Sequence, residues 1–113
     1  EFYELRAALC RELIERDGVR IIAFEADWPD MALVNAYVHE RSREWDGFDR
    51  FPEWMWRNRS FAEFAKWVRH FNHDHPDDSV SFYGLDLYSL SSSLAAVAEF
   101  LEKRNPSAAV KAW

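Results

Sequence analysis

The stretch GVRIIAFEADWPDMALVN, residues 18–35, decides the fold class of this chain. Gly18 ends a helical pattern, and the apolar run at residues 19–24 predicts a buried strand. Pro29 suits the first turn of the next helix, because its missing amide donor would have no partner there. A buried strand that leads directly into a helix indicates an α/β fold.

Helical periodicity occurs on both sides of this stretch. Residues 2–17 carry an apolar arc made of Phe2, Leu5, Leu9 and Leu13, extended by Tyr3, Ala7, Cys10 and Ile14. The helix after Pro29 should bury Met31, Val34 and Val38. Ser60 and Glu63 have the spacing of a capping box, and the helix they begin should end near Asn72 and bury Phe61, Phe64, Ala65, Val68 and Phe71.

The remaining segments complete the predicted order of elements. Residues 40–59 are rich in aromatic side chains without a regular period, which indicates an ordered connection. Residues 79–87 predict a second strand with Gly84 inside it. A last helix carries Leu90, Leu94, Val97 and Leu101, ends at Asn105 and Pro106, and leaves room for a short helix from Ser107.

This order favours a parallel sheet with covering helices. Only two strands are predicted, and buried parallel strands need neighbours on both edges. We therefore expect residues 1–113 to form a single partial domain, an incomplete piece of a larger fold.

Composition restricts the function classes. The net charge is −6 and basic residues are interleaved with acids, so neither nucleic acid nor an anionic membrane surface is expected as a partner. No apolar run reaches the roughly 18 residues that a membrane span needs. Cys10 is the only cysteine, so an intrachain disulfide is impossible, and a cytoplasmic location is the default expectation.

Acidic residues follow both predicted strands. Glu25 and Asp27 come after the first strand, and Asp86 lies near the end of the second. The carboxyl ends of parallel strands are where ligands collect in open α/β folds. Each acid has a plainer interpretation, since Glu25 could be solvated and Asp27 could cap the following helix.

Arg6 falls inside the apolar arc of the first helix, where an unpaired guanidinium would be costly. We expect it to face the strand ends and to meet Glu25 or Asp27. The alternative is an arginine that reaches the surface or makes a structural ion pair.

Two other groups of residues are weaker candidates for a functional site. The cluster Trp54, Trp56, Arg57 and Asn58 could line a substrate site or simply pack a loop. Imidazoles and carboxylates suit zinc, but the spacing of His70, His73, Asp74, His75 and Asp77 matches no closed zinc pattern, and a solvated turn explains them better. No metal or cofactor is predicted.

The residues singled out above occur in a wider resemblance. The stretches EFYELR at 1–6, FEADWPD at 24–30 with Asn35, FPEWMWRN at 51–58 and FYGLDLYSL at 82–90 resemble the erythromycin esterase family, whose members are also labelled succinoglycan biosynthesis proteins. The four stretches occur in the order of the family and span most of the chain.

The resemblance implies a hydrolase in which a histidine activates water for attack on a macrolactone or another ester. It implies catalytic roles for Arg6 and Glu25, and we select Asp27, Trp56 and Asp86 as substrate-binding candidates. The histidines of the family lie before EFYELR and far downstream, and His39, His70, His73 and His75 match neither position. We therefore expect a fragment that is inactive alone. The alternative is a non-catalytic ligand-binding or interaction module.

Overall fold

A computed structural model describes residues 1–45, 53–86 and 90–104 of the chain. The described elements are α1 (Phe2–Asp17), β1 (Ile21–Asp27), α2 (Trp28–Val38), α3 (Glu53–Trp56), α4 (Arg59–Asp74), β2 (Ser81–Asp86) and α5 (Leu90–Arg104). The predicted order of helices and strands is confirmed, with α3 as a short addition in the aromatic connection. The predictions for Leu87, Asn105, Pro106 and Ser107, and for residues 46–52 of the aromatic connection, lie outside the described residues.

β1 and β2 form a parallel pair, which is the whole sheet within the described ranges. The pairing joins Ile21 to Ser81 and continues to Phe24 and Gly84. The α/β class with parallel strands and covering helices is thereby confirmed.

β1 begins and ends later than predicted. Gly18 has a left-handed backbone with φ 69°, and the amide of Val19 donates to the Leu13 carbonyl at the end of α1. Because Val19 completes the helix end, the strand begins only at Ile21. It then continues through Glu25 to Asp27, so Glu25 lies inside the strand instead of after it.

The hydrophobic core lies on one face of the sheet, under α4. The Phe24 ring packs edge-on against Phe82 at 5.0 Å between centroids and against Phe61 at 5.5 Å. Phe64 stacks on Phe82 from the next turn of α4. Each buried aromatic ring contributes about 1.5–3 kcal/mol. The predicted buried stripes of α2 and α4 are confirmed for Met31, Val34, Val38, Phe61, Phe64, Ala65 and Val68.

The start of α4 differs from the predicted capping box. The N-cap is Asn58, whose side-chain oxygen accepts the Phe61 amide at 2.9 Å. Ser60 is therefore already inside the helix, and Glu63 instead pairs with Arg59 one turn earlier. An asparagine two residues before the serine satisfies the first turn equally well.

Only half of the apolar arc of α1 is buried. Ile14 is buried, and Ala7 and Cys10 pack against the core. Leu5 is 70% exposed, and Phe2 and Leu9 are exposed to a similar extent. The helix packs on α4. The expectation that Arg6 lies within a buried surface is wrong, since Arg6 sits at the border of the two sides and is exposed.

Other apolar side chains are also exposed. The sheet face opposite the core presents Ile21, Tyr83 and Leu85, and α5 presents Leu90, Leu94, Val97 and Phe100 while burying Ala98. Parallel sheets are normally covered on both faces. In the described part of the chain one face of the sheet is covered and the other is open.

Asn72 connects three elements at the end of α4. Its side-chain nitrogen donates to the carbonyls of Val38 in α2 and Val80 before β2, at 3.0 and 2.9 Å. Its side-chain oxygen accepts the Val80 amide at 2.7 Å. Asn72 is only 6% exposed, so these bonds are shielded from water and fix the approach of the chain to β2.

A histidine–glutamate pair joins the ends of α2 and α4. His73 Nδ1 lies 3.2 Å from Glu40 Oε2, and this hydrogen bond raises the pKa of His73 above its ordinary 6.5 and lowers the pKa of Glu40. Nearby, burial and then Arg41 lower the pKa of His39, which bonds to the Ser81 hydroxyl at 3.0 Å.

We expect the two histidines to titrate on opposite sides of pH 6.5. His73 stabilises the fold below its unfolded pKa and loses that contribution as the pH rises through its raised folded value. His39 has the opposite effect on stability. Its pKa is lowered in the folded state, so its protonation destabilises the fold as the pH falls below 6.5. NMR titration of the ring protons measures the pKa values of both histidines. Glu40→Gln should return His73 towards 6.5 and leave His39 below it, and an unchanged His73 would contradict the assignment.

Candidate functional site

The carboxyl end of β1 contains a bulge. Phe24 pairs with Gly84 and Asp27 pairs with Asp86, so Glu25 and Ala26 together occupy the length that β2 spans with one residue. The bulge interrupts the alternation of the strand, and both Ala26 and Asp27 are buried. Bulges re-aim side chains and are frequent next to active sites.

Gly84 allows the two backbones to approach at the bulge. A Cβ at this position would lie 2.8 Å from the Ala26 carbonyl oxygen and 2.8 Å from Trp28 Cα. A glycine inside a strand pattern often marks such an approach. Gly84 was therefore a sequence signal for the bulge that the strand prediction did not use.

Trp56 holds the bulged strand from the side. Its indole nitrogen donates to the Glu25 carbonyl at 3.0 Å, and its ring packs edge-on against Phe24 at 5.1 Å. Trp56 is 3% exposed, so this bond is protected from water. The short helix α3 thus fixes the backbone of a candidate catalytic residue.

Arg6 lies over the face of the same indole. Its guanidinium carbon is 4.9 Å from the Trp56 ring, a cation–π distance, and it also lies near the Phe2 and Tyr3 rings. Arg6, Trp56, Phe24 and Cys10 line a cavity of about 200 Å³. Burial raises the pKa of the Cys10 thiol, and the Arg6 charge opposes that shift.

Arg6 and Glu25 are therefore linked through Trp56 and not directly. Within the described ranges no ion pair joins them, and the Glu25 side chain is exposed. Strand alternation points Glu25 away from the core face that holds Phe24. The expectation that Arg6 meets Glu25 is wrong: Arg6 contacts the Trp56 ring, and Trp56 bonds only to the Glu25 backbone.

The two strand-end aspartates are brought together. Asp27 and Asp86 are partners in the sheet register, Asp27 at 1% exposure and Asp86 exposed. Asp27 occupies the N-cap of α2, but its side chain makes no hydrogen bond to the first turn of that helix. Asp27 thus takes the N-cap position that the sequence suggested, without a side-chain capping bond. Asp86 also borders a mainly apolar groove of about 460 Å³ formed by Trp28, Leu85, Leu90, Leu94 and Val97.

The four histidines lie away from this edge. His39 contacts Ser81, the first residue of β2, and His73 and His75 follow at the end of α4, all near the amino end of the sheet. His75 bonds to the Phe71 carbonyl and stacks on its ring. Among the described residues no three His, Cys, Asp or Glu side chains are placed to hold one metal ion.

The fold and the edge described above are those of an α/β protein with polar side chains at the carboxyl ends of its parallel strands. A family model for erythromycin esterase matches residues 14–113. The chain therefore belongs to the erythromycin esterase family. Glu25, Asp27, Trp56 and Asp86 lie inside the matched range, and Arg6 precedes it.

A solved structure shares the fold. The chain superimposes on a Bacillus cereus protein with a TM-score of 0.72 and 14% sequence identity. The similarity covers 93% of this chain and 26% of that protein, so the chain spans about a quarter of the length of its structural neighbour.

None of the helices in the described ranges is long and apolar enough to traverse a bilayer.

Proposed function

We propose that this chain is part of a hydrolase that cleaves a carboxylic ester by the attack of water. The observation that carries the proposal is the family match over residues 14–113. We further propose a macrolactone or a related ester as the substrate, a role in the response to antibiotics, and a cytoplasmic location. The Asp86 groove, with its apolar lining, suits the non-polar part of such an ester.

We assign Arg6 to the developing oxyanion. Attack on an ester places negative charge on the former carbonyl oxygen, which a positioned cation stabilises. The guanidinium carbon lies 4.9 Å from the Trp56 ring, whose nitrogen bonds to the backbone of the Glu25 strand. Because a planar cation stacks better than an ammonium group, Arg6→Lys should retain the charge and lose the orientation.

We assign Glu25 to the orientation of the attacking water or of a histidine that activates it. Its backbone is fixed by the bond from Trp56, while its carboxylate remains accessible. Asp27, Trp56 and Asp86 would then contact the substrate. The general-base histidine that the family resemblance implies is not among the four histidines described above, so the 113-residue chain alone should show no hydrolysis above background.

Glu25→Gln in the complete gene product should lower kcat for ester hydrolysis by about 10²–10⁴-fold, the usual contribution of an acid–base group. The fold should be unchanged, because the Glu25 side chain is exposed. Hydrolysis of a macrolide and of p-nitrophenyl butyrate measures the effect. Glu15→Gln, an exposed acid on α1, is the matched control.

Equal activity of the Glu25→Gln and Glu15→Gln variants would refute the assignment of Glu25. Hydrolysis by the 113-residue chain that depended on Arg6 and Glu25 would refute the proposal that the site is incomplete.

A second function is favoured by a separate observation, the exposed apolar side chains of α1, α5 and the open sheet face. Apolar surface of this extent is typical of interaction sites. A non-catalytic interaction module would bind its partner or ligand without ester hydrolysis. Absence of hydrolysis by the complete gene product would favour this alternative over the hydrolase.

A further inference from the structure

A cleft of about 650 Å³ lies on the side of the molecule where α3 meets α4. Its described lining comes from α2 and the chain after it, from the end of α3 and from the start of α4. The described residues that line it are Tyr37, Arg43, Glu44, Trp45, Trp56, Arg57, Asn58, Arg59, Ala62 and Lys66. Its volume is in the range of small-molecule sites.

Positive charge is concentrated in this cleft. Four of the described lining residues are basic, namely Arg43, Arg57, Arg59 and Lys66, and Glu44 is the acid among them. The chain as a whole has a net charge of −6. A local excess of cations on an acidic protein creates a site that attracts anions.

The helix α4 contributes two of these cations from one face. Arg59, Ala62 and Lys66 follow the three- and four-residue spacing that aligns side chains along a helix. Ala62 is small, so it leaves space between the two charged side chains. Arg59 also pairs with Glu63 at 2.7 Å, but both groups are largely exposed, and such a pair exchanges readily with another anion.

Arg43 and Lys66 are the two lining cations for which the described part of the chain supplies no acidic partner. Neither makes an ion pair with a residue in the described ranges. They come from different parts of the chain, one after α2 and the other on α4, and both line the cleft. Two cations that line one cleft suit a ligand group with more than one negative charge.

Aromatic side chains complete the cleft. Trp45 is half-buried and contributes to the lining with Tyr37, so a flat ligand ring has apolar surface to contact. The capped start of α4 lies at the same cleft, and its partial positive charge adds to the field.

We propose that this cleft binds a phosphate monoester carried on a ring. The phosphate lies between Arg43 and Lys66, and the ring contacts Trp45. The inference is independent of the proposed hydrolase function, since it uses neither Arg6 nor Glu25.

Phenyl phosphate tests the proposal by isothermal titration calorimetry on the full 113-residue chain. It should bind with a Kd of about 1 mM or below. Inorganic phosphate should bind several-fold more weakly because it lacks the ring, and phenol should not bind. In NMR spectra, phenyl phosphate should shift the Trp45 indole N–H signal.

The double variant Arg43→Gln/Lys66→Gln should weaken phenyl phosphate binding by roughly tenfold or more. The control Arg16→Gln/Lys103→Gln removes the same charge from α1 and α5 and should leave the Kd unchanged. All four side chains are exposed, so both variants should fold, as circular dichroism will check.

Failure of phenyl phosphate to bind, or equal weakening in the two double variants, would overturn the proposed site. Equal affinity for phenyl phosphate and inorganic phosphate would overturn the role of the ring. These outcomes are separable from ester hydrolysis, because they are read from binding and change only Arg43 and Lys66, neither of which the proposed hydrolase uses.

Discussion

Asn72→Asp should lower the free energy of unfolding by about 3 kcal/mol or more, as urea denaturation will measure. The asparagine nitrogen donates to two buried carbonyls, those of Val38 and Val80. A carboxylate at the same position has no donor and places a negative charge against both oxygens. Each buried group left unsatisfied costs about 1–3 kcal/mol.

Asn58→Asp is the matched control for this prediction. Asn58 caps α4 through its side-chain oxygen, which an aspartate retains, and asparagine and aspartate cap helices about equally well. The same chemical change should therefore cost less than about 1 kcal/mol at the exposed end of the helix, including the lost bond to the Met55 carbonyl. Similar losses at the two positions would show that the Asn72 network does not stabilise the fold.

Gly84→Ala should destabilise the protein by about 3 kcal/mol, at the upper end of the cost of overpacking. The new methyl group would meet backbone atoms of Ala26, Asp27 and Trp28 at 2.8–2.9 Å. Backbone cannot rotate away as a flexible side chain can, so the strands must separate at the bulge. We expect faster hydrogen exchange of the β1 and β2 amides as well as a lower free energy of unfolding.

Gly18→Ala is the control variant for Gly84→Ala. Gly18 has φ 69° and no neighbour within 4 Å of an added Cβ, so its cost is conformational, about 1–2 kcal/mol. Its effect should stay at the end of α1 and leave the exchange of the sheet amides in the native state unchanged. A Gly84→Ala variant with wild-type stability and wild-type exchange would contradict the close approach at the bulge.

Local patterns predicted the helices and strands well. A helical repeat of 3.6 residues can be recognised from the sequence alone. It is seen in Met31, Val34 and Val38 and in Phe61, Phe64 and Val68. Half of the α1 arc was predicted wrongly, because sequence shows that a side is apolar but not which part of it a neighbouring helix covers. The cap of α4 was misplaced by two residues for a similar reason, since Asn58 and Ser60 are both good capping residues.

The sequence suggested candidate residues for the site, but it did not predict how they are arranged. Glu25, Asp27 and Asp86 were located because parallel strands bring their carboxyl ends to one edge. Their orientation depends on the bulge, which is a property of the pairing between two strands. Arg6 was selected as a cation among apolar residues, and the structure supplies Trp56 as its contact.

The basic cleft is a second feature that could not be predicted from the sequence. Acids lie between Arg43 and Arg57 and between Arg59 and Lys66 in the sequence, and from sequence these residues predicted no anion site. Packing of the chain after α2 near α4 brings them to one cleft. Charge clustering in space is decided by tertiary contacts, because residues far apart in the chain contribute to one field.

The sequence by itself determined the element order, the parallel α/β class and the family resemblance, since each is carried by residues close together in the chain. The tertiary structure decided the strand bulge, the link from Arg6 through Trp56 to Glu25, the Asn72 network and the basic cleft. Each of these includes contacts between segments that are distant in the sequence or depends on how two strands align, and long-range contacts are fixed only when the chain packs.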